Sequence, residues 1–189
     1  MTQSILKAIV FKCQPVLLLP LRLVMDRRYL AGRFFEGTPT GLIWAYRTVW
    51  QRNILRLGRP QRIPISLNCK ISKIANLHFH PDDLNNLQSP NLYVQNYRAT
   101  VNLGRGTYIG PNVGLITANH DLNNLDLHQP AQPIELGEKC WVGMNSVIMP
   151  GVKLGPRTIV GAGSVVTKSF PAGNCVIAGS PARVIRQYD

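Results

Sequence analysis

At 189 residues the chain is long enough to bury one sizeable core, and a hydrophobic fraction of 45% with only 16% charged residues excludes disorder. The net charge of +12 is unevenly placed: residues 1–62 hold 11 Lys/Arg against Asp26 and Glu36, a net of +9. A basic segment points to phosphate-bearing partners, an anionic membrane surface first. Nucleic acid ranks well behind, because neither a helical reader nor basic residues interleaved with aromatics appear.

The first element is the run IVFKCQPVLLLPLRLVM at residues 9–25. Lys12, Gln14, Arg22 and two prolines interrupt it, and a spanning helix needs about 20 mostly apolar residues. It is read neither as a membrane span nor as a signal peptide. The next is GLIWAYRTVWQRNILRL at residues 41–57, whose Leu42, Trp44, Ala45, Val49 and Leu55 stand at amphipathic-helix spacing among basic residues. Residues 1–60 are therefore expected to form a basic, helical extension, serving either as a cap on the main domain or as a contact with anionic membrane. Cys13, Cys69, Cys140 and Cys175 form no ligand pattern. They fit a reduced, cytoplasmic setting, with peripheral attachment at the inner face of the membrane as the variant that the N-terminal segment adds.

From residue 63 the texture changes to short β-branched stretches divided by Gly, Asn and Pro, and an internal repeat emerges. Hexads LGEKCW, VGMNSV, IMPGVK, LGPRTI, VGAGSV and VTKSFP begin at Leu136, Val142, Ile148, Leu154, Val160 and Val166. Each is led by an aliphatic residue, and the fifth position is compact except at Phe170. Upstream copies start at Leu103 and Ile109, with a weaker pair at Ile65 and Ile71. The residue after each leader shows a longer period of three hexads, or 18 residues: Gly104, Gly110, Ile116; Gly137, Gly143, Met149; Gly155, Gly161, Thr167. The spacing predicts a triangular coil with the aliphatic leaders inside and the glycines at corners needing tight or positive torsions. From Gly104 to Gly137 the interval is 33 residues, 15 too many, and excising residues 119–133 restores the register. That segment, NHDLNNLDLHQPAQP, is a loop inserted into the coil.

The run PIELGEKCWVGMNSVIMPGVKLGPRTIVGAGSVVTKSFPAGNCVIAGSPARVIR resembles the hexapeptide-repeat acyltransferases, in particular the sugar and galactoside O-acetyltransferase branch with its NHD loop. The resemblance covers roughly residues 90–187 and none of residues 1–60. It implies a mainly β fold, a left-handed parallel β-helix over residues 61–187 that carries the inserted loop 119–133. It also implies a homotrimer with acetyl-CoA in the groove between neighbouring subunits.

The site residues follow from that resemblance. His120 takes the family's general-base role, with Asp121 to orient or stabilise the ring. Chemistry asks for such a base independently, since a sugar hydroxyl must lose its proton to attack a thioester, and an imidazole, with an ordinary pKa near 6.5, suits the task. Gly143 and Ala162 are the expected backbone contacts of the pantetheine arm, while Thr167, Lys168 and Arg183 fall near the polyanionic nucleotide end. A backbone N–H such as that of Gly143 is a candidate oxyanion donor. Asn96 and Trp141 are expected at the acceptor, against the alternatives of a stacked turn asparagine and an outward groove residue.

His78 and His80 alternate as two metal ligands would, yet lack a third convergent partner, so no metal is expected. The function expected is acetyl-CoA-dependent O-acetylation of a saccharide, with a cell-surface polysaccharide or lipid-linked glycan precursor as candidates. N-acylation of an amino sugar or nucleotide sugar is the alternative. A metal-dependent hydratase like the γ-type carbonic anhydrases and a non-catalytic β-helix scaffold stand further off.

Overall fold

The computed structural model describes residues 2–188, with side chains from Cys13 onward. The chain divides into two compact units, Met1–Leu67 and Asn68–Asp189.

In the N-terminal unit, α1 (Thr2–Val24) contains Pro15 and Pro20, and α2 (Thr40–Thr48) runs on through a π-type turn, Val49–Ile54. Leu18, Leu21, Met25, Tyr29, Phe35, Leu42, Ala45, Ile63 and Ile65 are buried there. The expected boundary at residues 60/61 falls at Leu67/Asn68 instead, because hydrogen bonds hold residues 61–67 inside this unit. Ile65 donates its N–H to Thr48 Oγ1 at 2.8 Å and accepts from the same hydroxyl at 3.0 Å. The buried Arg52 guanidinium donates to the carbonyls of Ser66 at 2.7 Å and Leu67 at 2.9 Å. Of the two weak hexads, the one at Ile65 is therefore no coil, whereas Ile71 does lie in a strand.

The second unit is a stack of three-sided coils. In chain order its strands are β1 Lys70–Ile71, β2 Leu77–His78, β3 Tyr93–Gln95, β4 Val101–Leu103, β5 Tyr108–Ile109, β6 Gly114–Ile116 and β7 Ile134–Leu136. Then follow β8 Trp141–Val142, β9 Val147–Ile148, β10 Lys153–Leu154, β11 Ile159–Val160, β12 Val165–Val166, β13 Cys175–Gly179 and β14 Ala182–Gln187. They form sheet I (β1-β3-β6-β9-β12), sheet II (β10-β7-β4-β2) and sheet III (β14-β13-β11-β8-β5). Pairing is parallel except at the closing hairpin β13–β14. Up to that hairpin the chain visits sheets II, III and I in turn, so consecutive strands do not pair and each pairs with the strand one coil away. The leaders Leu136, Val142, Ile148, Leu154, Val160 and Val166 are all buried, forming the aliphatic columns that the spacing requires.

The corners differ from expectation in one respect. Positive φ belongs to the fourth residue of the hexads led by Leu103, Ile109, Leu136, Val142, Ile148, Leu154 and Val160: Gly106 (77°), Asn112 (57°), Lys139 (55°), Asn145 (59°), Gly151 (77°), Arg157 (55°) and Gly163 (70°). The glycines after the leaders are needed for close approach between coils. A Cβ on Gly137 would stand 2.6 Å from Pro156 N, and one on Gly155 would stand 2.2 Å from Pro171 O. The compact fifth residues use that closeness. Thr107 Oγ1 donates to Gly137 O at 3.0 Å, Cys140 Sγ to Gly155 O at 3.2 Å and Ser146 Oγ to Gly161 O at 3.0 Å, each reaching the next coil. Burial pushes the Cys140 thiol pKa above its ordinary value, which suits a core residue and not a nucleophile.

At the N-terminal end of the stack, the 3-10 segment Pro81–Gln88 takes the place of a strand in sheet III. Buried Asn86 supplies the missing ladder with its side chain, donating to Thr107 O at 2.8 Å and accepting from Ile109 N–H at 2.8 Å. That exchange satisfies the polar groups an absent strand would orphan.

Candidate active site

The 15-residue insertion leaves the edge between sheets I and II just after β6 and returns just before β7. It folds on itself as an irregular hairpin. Gln132 N–H donates to Thr117 O at 2.8 Å, Gln129 N–H to Asn119 O at 2.9 Å and Asp121 N–H to Leu127 O at 2.9 Å. This pairing sets His120 opposite His128. Their rings stack at 4.4 Å between centroids, tilted by 33°, and Tyr97 meets the His128 ring edge-on at 5.9 Å.

His120 Nδ1 lies 2.6 Å from the carbonyl oxygen of Leu125. A carbonyl only accepts, so in the neutral ring Nδ1 carries the hydrogen and Nε2 keeps its lone pair. The local fold thus fixes the tautomer that a base acting through Nε2 requires. Asp121 does not perform this orientation. Its Oδ1 accepts the N–H groups of Asn123 at 2.8 Å and Asn124 at 3.2 Å, building the turn that brings Leu125 round. The residues that sequence reasoning did not assign to the site are Leu125, through its carbonyl, and His128 with Tyr97, through ring packing. Only the pairing of the loop across eight residues reveals them.

Asn96 is fully buried. It accepts from Lys73 N–H at 3.0 Å and donates to Lys73 O at 2.9 Å, so it clamps two coils together and faces no acceptor. Gly143 is not an oxyanion donor, because its N–H is already given to Val160 O at 2.8 Å. Trp141 is 54% exposed on β8, in register with the exposed Tyr108.

The remaining expected residues lie on two edges. Register carries the row Val142–Val160–Ile177 one residue onward to Gly143, Gly161 and Ala178, and Ala178 pairs with Arg183. Gly143, Ala162 and Arg183 therefore share the edge between sheets III and I. The approach is close, since a Cβ on Gly143 would stand 2.6 Å from Ala162 N. Thr167 and Lys168 follow β12 at the edge between sheets I and II, the edge that carries His120. Two rungs, about 10 Å, separate their row from the root of the loop. Both are exposed, with Lys168 Nζ 5.6 Å above the Phe170 ring.

His78 and His80 do not converge. His78 is exposed on β2, while His80 Nδ1 accepts from Asp82 N–H at 3.1 Å and caps the 3-10 segment. Among the described residues no group of three His, Cys, Asp or Glu could hold a metal ion.

Hexad coils, compact fifth residues and a histidine-bearing insertion define a β-helix of hexapeptide repeats built like those of the transferases. Residues 133–168 match the family profile "Bacterial transferase hexapeptide (six repeats)". Galactoside O-acetyltransferase of Escherichia coli K12 is 41% identical over 94 residues, 48% of this chain and 45% of that protein. A crystallised maltose O-acetyltransferase of Clostridium difficile 630 superposes with a TM-score of 0.52 at 27% identity, covering 65% of this chain and 64% of its own. A galactoside acetyltransferase solved in complex with coenzyme A has a TM-score of 0.51 at 24% identity, covering 93% of this chain and 82% of its own, and shares the fold. The second unit of the chain has the left-handed hexapeptide-repeat β-helix fold that these acetyltransferases share. Matched segments span about half the length of the curated relatives.

Proposed function

We propose that the chain is an acetyl-CoA-dependent O-acetyltransferase acting on a saccharide hydroxyl, with His120 as general base. The observation that carries this reading is the Nδ1 contact to the Leu125 carbonyl, which leaves Nε2 unprotonated in a loop otherwise superfluous to the coil. The likeness to galactoside O-acetyltransferase supports the acceptor class.

Nε2 takes the hydroxyl proton as the sugar oxygen bonds to the thioester carbonyl carbon. The tetrahedral intermediate then collapses, the C–S bond breaks, and the imidazolium returns its proton to the departing thiolate. The products are a sugar acetate and the free thiol of CoA. Lys168 and Arg183, both exposed cations, suit the nucleotide phosphates, and Thr167 adds a hydroxyl beside Lys168. Gly143 and Ala162 present a side-chain-poor ledge on which the pantetheine arm can lie. Trp141 offers an aromatic wall beside it.

Free thiol release from acetyl-CoA, followed across monosaccharides, oligosaccharides, amino sugars and lipid-linked glycans, tests this. Release with a hydroxyl acceptor is expected. Release confined to amino acceptors assigns N-acylation instead, and no release with any acceptor overturns the enzymatic reading.

A homotrimer belongs to the same proposal. His120 and Lys168 stand on one edge, and Gly143, Ala162 and Arg183 on another, so one chain holds two half-sites that a neighbour's edge completes. Tyr93 and Tyr108, on the outer surfaces of sheets I and III, and Trp141 are exposed, whereas the outward row of sheet II is His78, Asn102, Glu135 and Lys153. The first two surfaces suit a subunit contact and the third suits solvent. Light scattering is expected to give three times the 21.0 kDa chain mass; a strictly monomeric enzyme with full activity refutes the shared site.

A further inference from the structure

In the N-terminal unit both helices are apolar on the side opposite their core. On α1, Leu18 and Leu21 are buried, as is Met25 just beyond it, while Val16 (66%), Leu19 (58%) and Leu23 (78%) are exposed at i, i+3, i+7 spacing. On α2 and its π-type continuation, Leu42, Ala45 and Thr48 are buried, while Ile43 (59%), Tyr46 (38%), Trp50 (57%) and Ile54 (58%) form the opposite stripe. Tyr46 OH donates to Leu17 O at 2.7 Å and ties the two helices together within this unit. Helices apolar on both sides belong in a covered setting, and among the described residues no helix is long and apolar enough to cross a membrane.

Charge selects the covering phase. The exposed Arg22, Arg27, Arg28, Arg33, Arg56, Arg59 and Arg62 belong to this unit, whose only acidic residues are Asp26 and Glu36. We infer that this face lies on an anionic lipid bilayer, with the Val16–Leu19–Leu23 and Ile43–Tyr46–Trp50–Ile54 stripes in the interfacial layer and the arginines at the headgroups. An apolar stripe with a basic surround and no spanning helix is the physical pattern of a segment that lies on a membrane. Trp50 and Tyr46 are the residue types favoured at that depth. The inference concerns this unit alone and is independent of the acetyl-transfer reading, so either can fail without the other.

The test is flotation of the full chain with vesicles of phosphatidylcholine alone or with 30 mol% phosphatidylglycerol, about 0.1 M NaCl, alongside light scattering without lipid. Binding to the anionic vesicles is expected to be roughly tenfold tighter or more, and to weaken with salt. The charge-neutral variant Leu19→Ser/Leu23→Ser/Trp50→Ser is expected to lose most of that binding while keeping its circular dichroism melt, since all three side chains point away from the core. Arg22→Gln/Arg56→Gln is expected to lose the lipid discrimination first. Equal partition to both vesicle types, or undiminished binding of the serine variant, overturns the inference. A serine variant with fewer subunits in the absence of lipid overturns it too, since the face is then a protein interface.

Discussion

Replacing His120 with alanine is expected to slow acetyl transfer by about 10²- to 10⁴-fold, the ordinary contribution of a positioned base. The KM for acetyl-CoA should change little, because His120 stands on the inserted loop and the proposed phosphate contacts, Lys168 and Arg183, lie elsewhere. Beyond the imidazole's own contacts to Leu125 and His128, the loop's turn is held by Asp121 Oδ1 and the Asn119–Gln129 pairing, which the substitution leaves in place. The loss is therefore chemical and not conformational. The informative control is His128→Phe, which keeps an aromatic face against His120 but removes the second imidazole. That variant should retain most of its activity. If His128→Phe is as damaged as His120→Ala, the two rings act together or the base has been assigned to the wrong one. If His120→Ala transfers acetyl to a competent sugar near the wild-type rate, the mechanism is wrong.

Gly155→Ala is expected to be among the most damaging methyl groups that can be added to the coil. Its Cβ would meet Pro171 O at 2.2 Å and Gly173 N at 2.5 Å, and neither is the mobile end of a side chain. Relief requires separating two backbones that are joined by the Gly155 N–H to Phe170 O bond at 2.9 Å. Overpacking of this kind costs about 3 kcal/mol or more, a large share of a stability of about 5–15 kcal/mol, and should lower Tm by on the order of 10 °C. Gly163→Ala is the matched control. Its φ is +70° but no atom lies within 4 Å of its Cβ position, so the cost is conformational, about 1–2 kcal/mol. A Gly155→Ala melt within two degrees of wild type, or a Gly163→Ala variant that melts lower than Gly155→Ala, contradicts the account of the corners.

The coil was legible in the sequence because its physics is periodic. A column of aliphatics every sixth residue must stay aliphatic to stack, so the strands of the later coils and the insertion could be placed by counting alone. The first coil was less legible. Its missing strand is replaced by a 3-10 turn whose Asn86 mimics a backbone ladder, and no spacing rule announces a side chain that substitutes for a strand. Asn96 carried two readings for a related reason: a polar residue beside a corner reads the same whether it faces a ligand or clamps the coil beneath, and its bonds to Lys73 match the second. At the candidate site, spacing located His120, but the oxygen that meets its Nδ1 is the Leu125 carbonyl, to which no role was assigned, while Asp121 Oδ1 builds the turn. Spacing assigns residues to faces and says nothing of which oxygen a turn will present to a ring.

The bond from Gln132 N–H to Thr117 O closes the insertion at its root. Beyond that closure no rung of the prism depends on what the loop contains, and lengthening such a loop carries only a slowly growing entropic penalty. Scaffold and chemistry are thus separately heritable: the loop can be rewritten in length and lining, for a different acceptor, while the stack that supports it stays unchanged.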